Sequence, residues 1–127
     1  MIRYLIAPLV KEDALHELFA STWPIYQPAP FAPMLAHSLT YICAYRQDNL
    51  VGFVNVAWNG RSHAFILDTT VHGKFQRQGI GRELVQQAIR VAKMRGMAWL
   101  HVDFEPHLRP FYRSCGFEHT EAGLMQL

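Results

Sequence analysis

The 127-residue chain has little cysteine, little charge and no long hydrophobic run, and each shortage excludes a class of protein. Its two cysteines, Cys43 and Cys115, lack the close spacing of a metal-binding pair, so we expect buried, reduced thiols rather than a disulfide framework. No apolar run approaches the roughly 18 residues that a membrane span requires. The stretch from Tyr4 to Val10 contains Pro8 and runs into charged residues, which favours a first strand over a secretory signal. We therefore expect a cytoplasmic protein without a membrane partner.

Charge is scarce overall but unevenly distributed. Charged residues make up 17% of the chain, and 50% of the residues are hydrophobic, so residues 1–127 are predicted to fold as one domain without a structural metal. The net charge of +2 is too small to indicate a nucleic-acid partner. Half of the Lys and Arg residues nevertheless lie between positions 71 and 96, where Glu83 is the single acid. This excess indicates either an anionic ligand or a solvated helix face.

The first half of the chain predicts a strand, a helix, a loop and an antiparallel meander. Apolar residues predict a strand over Ile2 to Ala7 and, at helical spacing, a helix over Glu12 to Ser21. Four prolines interleaved with aromatic residues indicate a structured loop over Thr22 to Pro33. Three strands joined by short turns are predicted next, at Leu39–Arg46, Leu50–Trp58 and Ala64–Val71.

The second half predicts a strand–helix–strand crossover. An apolar stripe predicts a helix that begins near Gly79 and ends at Gly96, followed by a strand over Ala98 to Phe104. Two short elements close the chain, a helical segment that ends near Cys115 and a last strand from Leu124 to Leu127. The fold class is therefore an α/β (α+β) domain with a mixed sheet, in which an antiparallel meander precedes a crossover that sets two strands parallel.

The segment Gln76-Arg77-Gln78-Gly79-Ile80-Gly81-Arg82 joins a predicted strand to a predicted helix. The first turn of a helix has unpaired N–H groups and a partial positive charge, so such a junction binds anions when the backbone can be approached. Gly79 and Gly81 remove side chains that would hold a diphosphate away, and Arg77 and Arg82 can add charge-assisted hydrogen bonds.

Two well-known phosphate-binding patterns do not match this segment. A dinucleotide fingerprint read from Gly79 requires a further glycine where this chain has Leu84. A Walker loop requires Ser or Thr after Gly73-Lys74, where this chain has Phe75. The pattern that remains is Gln or Arg followed by two residues, Gly, one residue and Gly. Its structural alternative is a glycine turn that binds no ligand.

A second cluster, Phe111-Tyr112-Arg113-Ser114-Cys115-Gly116-Phe117, follows the predicted strand and a proline turn. Together with the glycine segment it resembles the signature of the GNAT superfamily of acyl-CoA-dependent N-acetyltransferases. Asp68 to His72 is similar to the end of that family's central strand, Gln76 to Gly81 to its pyrophosphate loop, and Phe111 to Phe117 to its Phe-Tyr, three residues, Gly-Phe segment. The resemblance is specific from about Ala64 to Phe117.

The resemblance implies a GNAT-like acyl-CoA N-acyltransferase fold whose two parallel strands splay apart around the pantetheine arm. It implies that the arm pairs with the backbone of Thr69, Thr70 and Val71, and that the diphosphate is held by Gln76, Arg77, Gln78, Gly79, Ile80, Gly81 and Arg82. The implied reaction transfers an acetyl group from acetyl-CoA to a primary amine of a small molecule or peptide, without a metal. Tyr112 is the candidate catalytic residue, a general acid to the leaving thiolate, because a phenol stays protonated at neutral pH.

The chain departs from the family pattern at the position of a general base. On a regular strand the residues that share the face of Val71 are Phe65, Leu67 and Thr69, none of which titrates near neutral pH. Asp68 and His72 face the other way unless a bulge turns them, and each has a structural alternative as a capping or surface residue. A non-catalytic acyl-CoA-binding module is therefore the alternative to an enzyme.

Several residues are candidates to contact the acceptor amine. Glu105 stands where many members have Asn, and either it or Asp68 is a candidate to read the charge of the amine. The aromatic loop Thr22 to Pro33 either covers the acceptor or caps the core. His101 and Asp103 share one predicted strand face and line either the cleft or the surface. The sequence does not fix the oligomeric state, a homodimer included, and a nucleic-acid-binding domain that uses the basic helix is a third hypothesis.

Overall fold

A computed structural model describes all of the residues, which form five strands and four helices. The strands are β1 (Ile2–Ile6), β2 (Thr40–Arg46), β3 (Asn49–Trp58), β4 (His63–Val71) and β5 (Trp99–His101). The helices are α1 (Glu12–Ala20), α2 (Ala32–His37), α3 (Ile80–Met94) and α4 (Arg109–Ser114), with single 3₁₀ turns at Gly73–Phe75 and Pro106–Leu108. The predicted fold class is confirmed.

The sheet has the order β1-β2-β3-β4-β5, and only its last pair is parallel. Because a parallel pair needs a crossover connection, α3 links β4 to β5 on one face of the sheet. The two strands pair only from His63 to Phe65 on β4 and from Trp99 to His101 on β5. From Ile66 to Val71 the β5 side of β4 has no strand partner, and this divergence opens a cleft.

The core forms two layers, because alternate residues of the central strands point to opposite faces. On one face, apolar residues of α3 pack against β2, β3 and β4; they include Ile80, Leu84 and Ala88. On the other face, Leu15 and Leu18 of α1 pack with Phe31 against Phe53 of β3. The helices on this second face leave the β4–β5 end uncovered, where Leu67 is 40% and Trp99 is 65% exposed.

Two predicted strands differ from the structure. The last strand predicted from Leu124 to Leu127 is wrong: the segment has no regular structure, and Leu124, Met125 and Leu127 are almost fully exposed. An apolar run forms a strand only where it reaches a partner edge, and this one reaches none. The strand predicted over Ala98 to Phe104 is shortened to β5, because β4 diverges after the last paired residue.

Helix α2 was not predicted, and it begins inside the segment predicted as a loop. Its first turn is closed from outside: the Glu12 carboxylate on α1 accepts hydrogen bonds from the N–H groups of Phe31 and Ala32. Pro33 fits because the first-turn N–H groups have no partner within a helix. A cap supplied by a residue so distant in sequence has no local signal.

The cysteines and the helix lengths bear on two expectations from the sequence. Cys43 and Cys115 are both buried and free, as predicted, and burial raises the pKa of the Cys43 thiol to about 12. None of the helices combines the length and the apolarity that crossing a bilayer demands.

Candidate functional site

The turn between β4 and α3 presents a run of unpaired backbone N–H groups. None of the N–H groups of residues 76–82 donates a hydrogen bond within the protein. Gly79 precedes the helix with a φ of +85°, a left-handed conformation that favours glycine, and no side chain caps the helix. A Cβ added to Gly79 would meet nothing within 4 Å, so the turn is not plugged by a neighbour.

Side chains of this turn fall into two groups. Gln76 Nε2 donates to the carbonyl of Val71 over 3.1 Å and so ties the turn to the end of β4. Arg82 directs its guanidinium to Ser114 of α4, with Nη1 to Oγ at 2.6 Å and Nη2 to the carbonyl at 3.0 Å. Its backbone N–H stays available, but its side chain is engaged. Arg77 makes no ion pair or side-chain hydrogen bond and keeps its charge free for an anion.

A β-bulge interrupts β4 beside this turn. Phe53 pairs with Thr70, whereas Asn55 pairs with Leu67, so β4 has one residue more than β3 in this interval. Asp68 lies in the bulge with a φ of +57°. The extra residue inverts the side-chain alternation.

The inversion corrects the face assignment made from the sequence. Val71 packs on the α3 side of the sheet with Ile66, whereas Thr70 contacts Trp23 on the side of α1. The prediction that Phe65 and Leu67 share the face of Val71 is therefore wrong. It assumed a regular strand, and the sequence of β4 gives no clear sign of the bulge.

Thr69 and Tyr112 meet across the cleft. Thr69 Oγ1 is the single buried side-chain oxygen without a hydrogen-bond partner, and it is near enough to the Tyr112 hydroxyl to affect its pKa. The Tyr112 ring stacks on Phe104 at 4.8 Å and meets Phe117 edge-on at 5.9 Å, which fixes its orientation. Burial raises the pKa of Tyr112; the Thr69 hydroxyl acts in the opposite direction, and Cys115 and Asp103 add to the rise. The phenol is therefore protonated at neutral pH.

A pocket of about 160 Å³ joins two of the predicted segments. It is lined by Thr22, Trp23, Thr69, Thr70, Val71 and Gln76. Trp23 Nε1 donates to Thr70 Oγ1 over 3.3 Å, and that hydroxyl donates to the carbonyl of Asp68 over 2.9 Å. The aromatic loop was expected either to cap the core or to cover the acceptor. Phe31 is buried in the core, whereas Trp23 is 46% exposed and forms a wall of the pocket.

The acidic and histidine candidates differ in their contacts and in their distance from the pocket. The Asp68 carboxylate makes no hydrogen bond or ion pair, so it is not a capping residue. The residue is exposed, and desolvation of its carboxyl raises the pKa. The His72 ring accepts a hydrogen bond from the N–H of Lys74 at 3.1 Å and caps the 3₁₀ turn. This is the structural role that was the alternative to a catalytic one. Glu105 is exposed, and its Oε2 lies 3.9 Å from His107 Nδ1. Of the two acids proposed to read an amine, Asp68 is the one in the bulge beside the pocket.

The mixed sheet that opens between β4 and β5, followed by an unobstructed glycine turn, agrees with the α/β acyltransferase fold that the resemblance implies. The chain belongs to the GNAT acetyltransferase family, whose family model, described as "Acetyltransferase (GNAT) family", matches residues 12–117. Membership supports acyl transfer as the general chemistry, with acetyl-CoA as the acyl donor that the family uses.

Curated relatives agree with this assignment. The chain is 26% identical over 115 residues to GCN5-related N-acetyltransferase 1, chloroplastic, of Arabidopsis thaliana, a match covering 88% of the chain and 58% of the relative. It is 29% identical over 87 residues to the uncharacterized N-acetyltransferase ycf52 of Porphyra purpurea, covering 65% of the chain and 50% of the relative. The chain thus spans about half the length of the curated relatives it matches.

Solved structures match over nearly the whole fold. A GNAT family acetyltransferase from Streptococcus pneumoniae TIGR4 superposes with a TM-score of 0.82 at 27% identity, covering 100% of this chain and 98% of that one. AAC(6')-Iy in complex with the bisubstrate analog CoA-S-monomethyl-acetylneamine gives a TM-score of 0.77 at 18% identity, covering 100% and 97%. The second likeness shows the fold alone.

Proposed function

We propose that this protein transfers an acetyl group from acetyl-CoA to a primary amine. The observation that carries the proposal is the run of unpaired N–H groups at residues 76–82, which lies open beside the unpartnered edge of β4. A diphosphate needs convergent donors and an approachable backbone, and this turn offers both. The partial positive charge of the α3 N-terminus acts in the same direction.

Each part of the donor has a matching surface in the cleft. The N–H groups of Gln76 to Arg82 and the free Arg77 guanidinium hold the diphosphate, with Arg82 contributing through its backbone. The amides of the pantetheine arm pair with the free edge of β4 at Thr69 to Val71. This arrangement directs the thioester toward the bulge, where Tyr112 lies beside Thr69.

The chemistry requires few protein groups. The amine nitrogen attacks the thioester carbonyl carbon, the C–N bond forms, and a backbone N–H at the bulge stabilises the oxyanion. As the C–S bond breaks, Tyr112 donates its proton to the leaving thiolate and recovers a proton lost by the amine nitrogen. A positioned acid of this kind typically contributes about 10²–10⁴ in rate.

The acceptor is proposed to be a small-molecule or peptide amine. The unpaired Asp68 carboxylate attracts its ammonium form, and Trp23 forms the adjoining wall. Neither a membrane nor a nucleic-acid partner is part of the proposal. We keep the cytoplasm as the proposed compartment, although the Arabidopsis relative is named as chloroplastic.

Acetyl-CoA binding is tested by thermal denaturation. A ligand that binds only the folded state raises the melting temperature in proportion to the logarithm of its concentration. Gly81 lies where an added side chain meets Val71 and Phe111 at ordinary contact distances of 3.6 and 3.8 Å, so substitutions there fold. We expect Gly81→Glu to abolish the shift by charge repulsion and Gly81→Gln, its uncharged match, to retain part of it. A wild-type melt that acetyl-CoA does not move would overturn the proposal.

A non-catalytic acyl-CoA-binding module is the second candidate, favoured by the absence of a titrating side chain at Phe65 and Leu67 of β4. The two functions differ in release of free thiol across a panel of amines. Turnover in the wild type establishes the enzyme, whereas acetyl-CoA binding with no turnover on any amine establishes the module.

A further inference from the structure

Two histidines form a pair on the uncovered face of the sheet. His63 Nδ1 and His101 Nε2 are 2.7 Å apart, a hydrogen bond between imidazoles that lie 38 positions apart in the sequence. Both belong to the face on which neither α1 nor α2 covers the paired part of β4 and β5. The sequence gives no sign of the pair, because it depends on the parallel register of the two strands.

The pair runs from the body of the sheet to the start of the cleft. His101 is the last residue of β5 and is opposite Phe65, the last residue at which the strands pair. Its ring stacks on Phe65 at a centroid distance of 4.7 Å and an angle of 19°. His63 lies further from the cleft, opposite Trp99. One imidazole therefore borders the opening of the strands and the other lies away from it.

A hydrogen bond between two neutral imidazoles has a defined consequence. One ring donates its N–H, so its other nitrogen is bare, while the accepting ring has its N–H on its far nitrogen. When His101 donates from Nε2, its Nδ1 is bare and His63 Nε2 is protonated. A proton accepted at His101 Nδ1 can then pass across the shared bond and leave from His63 Nε2.

We propose that the His63–His101 pair is a proton relay that deprotonates the acceptor amine and delivers its proton to water. The inference rests on the proposed acetyl transfer. An ammonium ion, R–NH₃⁺, gives one proton to His101 Nδ1, and His63 Nε2 releases one to solvent. The neutral amine then forms the C–N bond as the C–S bond breaks, and its second proton reaches the thiolate through Tyr112.

The other titrating groups of the cleft suit different tasks. Tyr112 is an acid, because burial raises its pKa above the ordinary value for a phenol. The carboxylates of Asp68 and Asp103 attract an ammonium ion and so favour its protonated form. The imidazoles of His63 and His101 share a hydrogen bond, and imidazole is the side chain that most often serves as a general base and proton shuttle. An amine with a pKa near that of lysine, about 10.4, needs such a base.

The test compares two amines in two variants. We choose the most active alkylamine of the panel and its fluorinated analogue, which electron withdrawal keeps neutral at pH 7. His101→Gln keeps a side chain able to bond His63, and His119→Gln changes an exposed histidine of the C-terminal tail as a matched control. For the alkylamine we expect kcat/KM to fall about 100-fold in His101→Gln, the range of general base catalysis. For the fluorinated amine the same variant should lose less than about threefold, because its nitrogen has no proton to remove before attack.

Several outcomes distinguish failure of the relay from failure of the proposed function. Equal losses with both amines, or no loss with the alkylamine, would overturn the relay while the acetyl transfer stands. A wild type without turnover would remove the acetyl transfer and the relay together. The acetyl-CoA melting shift should be unchanged in His101→Gln, and its loss would show damage to the donor site instead.

Discussion

Arg82 holds Ser114 through two hydrogen bonds, at 2.6 Å to its hydroxyl and 3.0 Å to its carbonyl. The pair joins the first turn of α3, which completes the anion-binding turn, to the end of α4, which carries Tyr112. Together with the packing of Val85 against Tyr112 and Cys115, this side chain holds the donor site and the candidate acid in register. This explains why the arginine nearest the helix start is not free for a diphosphate.

Replacement of Arg82 by lysine should lower turnover more than donor binding. A lysine cannot make both bonds in the planar geometry of a guanidinium, so α4 loses its alignment with α3. We expect kcat to fall about tenfold and the melting temperature by roughly 2–6 °C, the shift for about 1 kcal/mol in a domain of this size. The acetyl-CoA melting shift should change little, because the backbone N–H groups remain. A loss of donor binding equal to the loss of kcat would contradict this role.

Tyr112→Phe should remove the acid and leave the fold intact. The ring contacts with Phe104 and Phe117 do not involve the hydroxyl, so the melting temperature and the acetyl-CoA shift are expected to be preserved. Thiol release should fall at least about tenfold, within the range of general acid catalysis. A variant that turns over at the wild-type rate would exclude Tyr112 as the acid.

The alkaline limb of the pH profile follows from the same residue. Because burial raises the pKa of Tyr112, the acid stays protonated at higher pH than a free phenol, and activity is lost only as the pH rises through that raised value. The same sign applies to stability, since folding favours the protonated phenol and this contribution is lost above the unfolded pKa. Rates are measured from pH 7 to 11 in the wild type and in Tyr112→Phe. The decline that only the wild type shows should begin above about pH 10.

Substitutions at Asp68 separate backbone strain from charge. Asp68→Asn keeps a residue type that tolerates a positive φ, and Asp68→Gly relieves the strain altogether. Because desolvation raises the pKa of this carboxyl although the residue is exposed, its ionised form slightly destabilises the fold above its unfolded pKa. We therefore expect Asp68→Asn to melt at a higher temperature at pH 7 and the difference to shrink below about pH 4.

The same Asp68→Asn variant tests the acceptor site. Loss of the carboxylate should raise KM for a cationic amine by about tenfold, the size of one charge-assisted hydrogen bond, and leave KM for acetyl-CoA unchanged. Glu105→Gln is the matched control, since that acid is exposed near His107. Equal effects of the two variants on KM would show that Asp68 has no particular role.

Trp23 should limit the size of the group that the pocket accepts. Trp23→Ala removes a wall of the pocket at Thr70, and we expect the kcat/KM ratio of a bulky amine to a small amine to rise. Trp23→Phe loses the N–H donated to Thr70 and one ring of the indole but keeps an aromatic wall, so it should change the ratio less. An unchanged ratio in Trp23→Ala would show that Trp23 does not border the amine.

The elements that could be predicted from the sequence are those with local causes. The glycine turn was recognisable because Gly79 and Gly81 stand where a strand meets an amphipathic helix, and that helix was predicted from its apolar stripe. The splayed parallel pair followed from the family resemblance and is present between β4 and β5.

What could not be predicted depends on distant partners. The bulge at Asp68 exists through its register with β3, α2 begins where Glu12 caps it, and the His63–His101 bond needs both strands in place. The run at Leu124 is apolar like a strand but reaches no partner edge. In each case the sequence shows the residue type, whereas the pairing that gives it a role lies in the tertiary structure.

The central claim is that the backbone N–H groups of residues 76–82 bind the diphosphate of coenzyme A. Its most direct measurement is a ¹H–¹⁵N NMR titration of the protein with acetyl-CoA, with coenzyme A and with acetyl-pantetheine, which lacks the diphosphate. The account predicts that the amide signals of Gln78 to Arg82 shift most, and that they do so only with the two diphosphate-bearing ligands. If those amides stay unmoved while the protein binds acetyl-CoA, or respond equally to acetyl-pantetheine, the claim is contradicted.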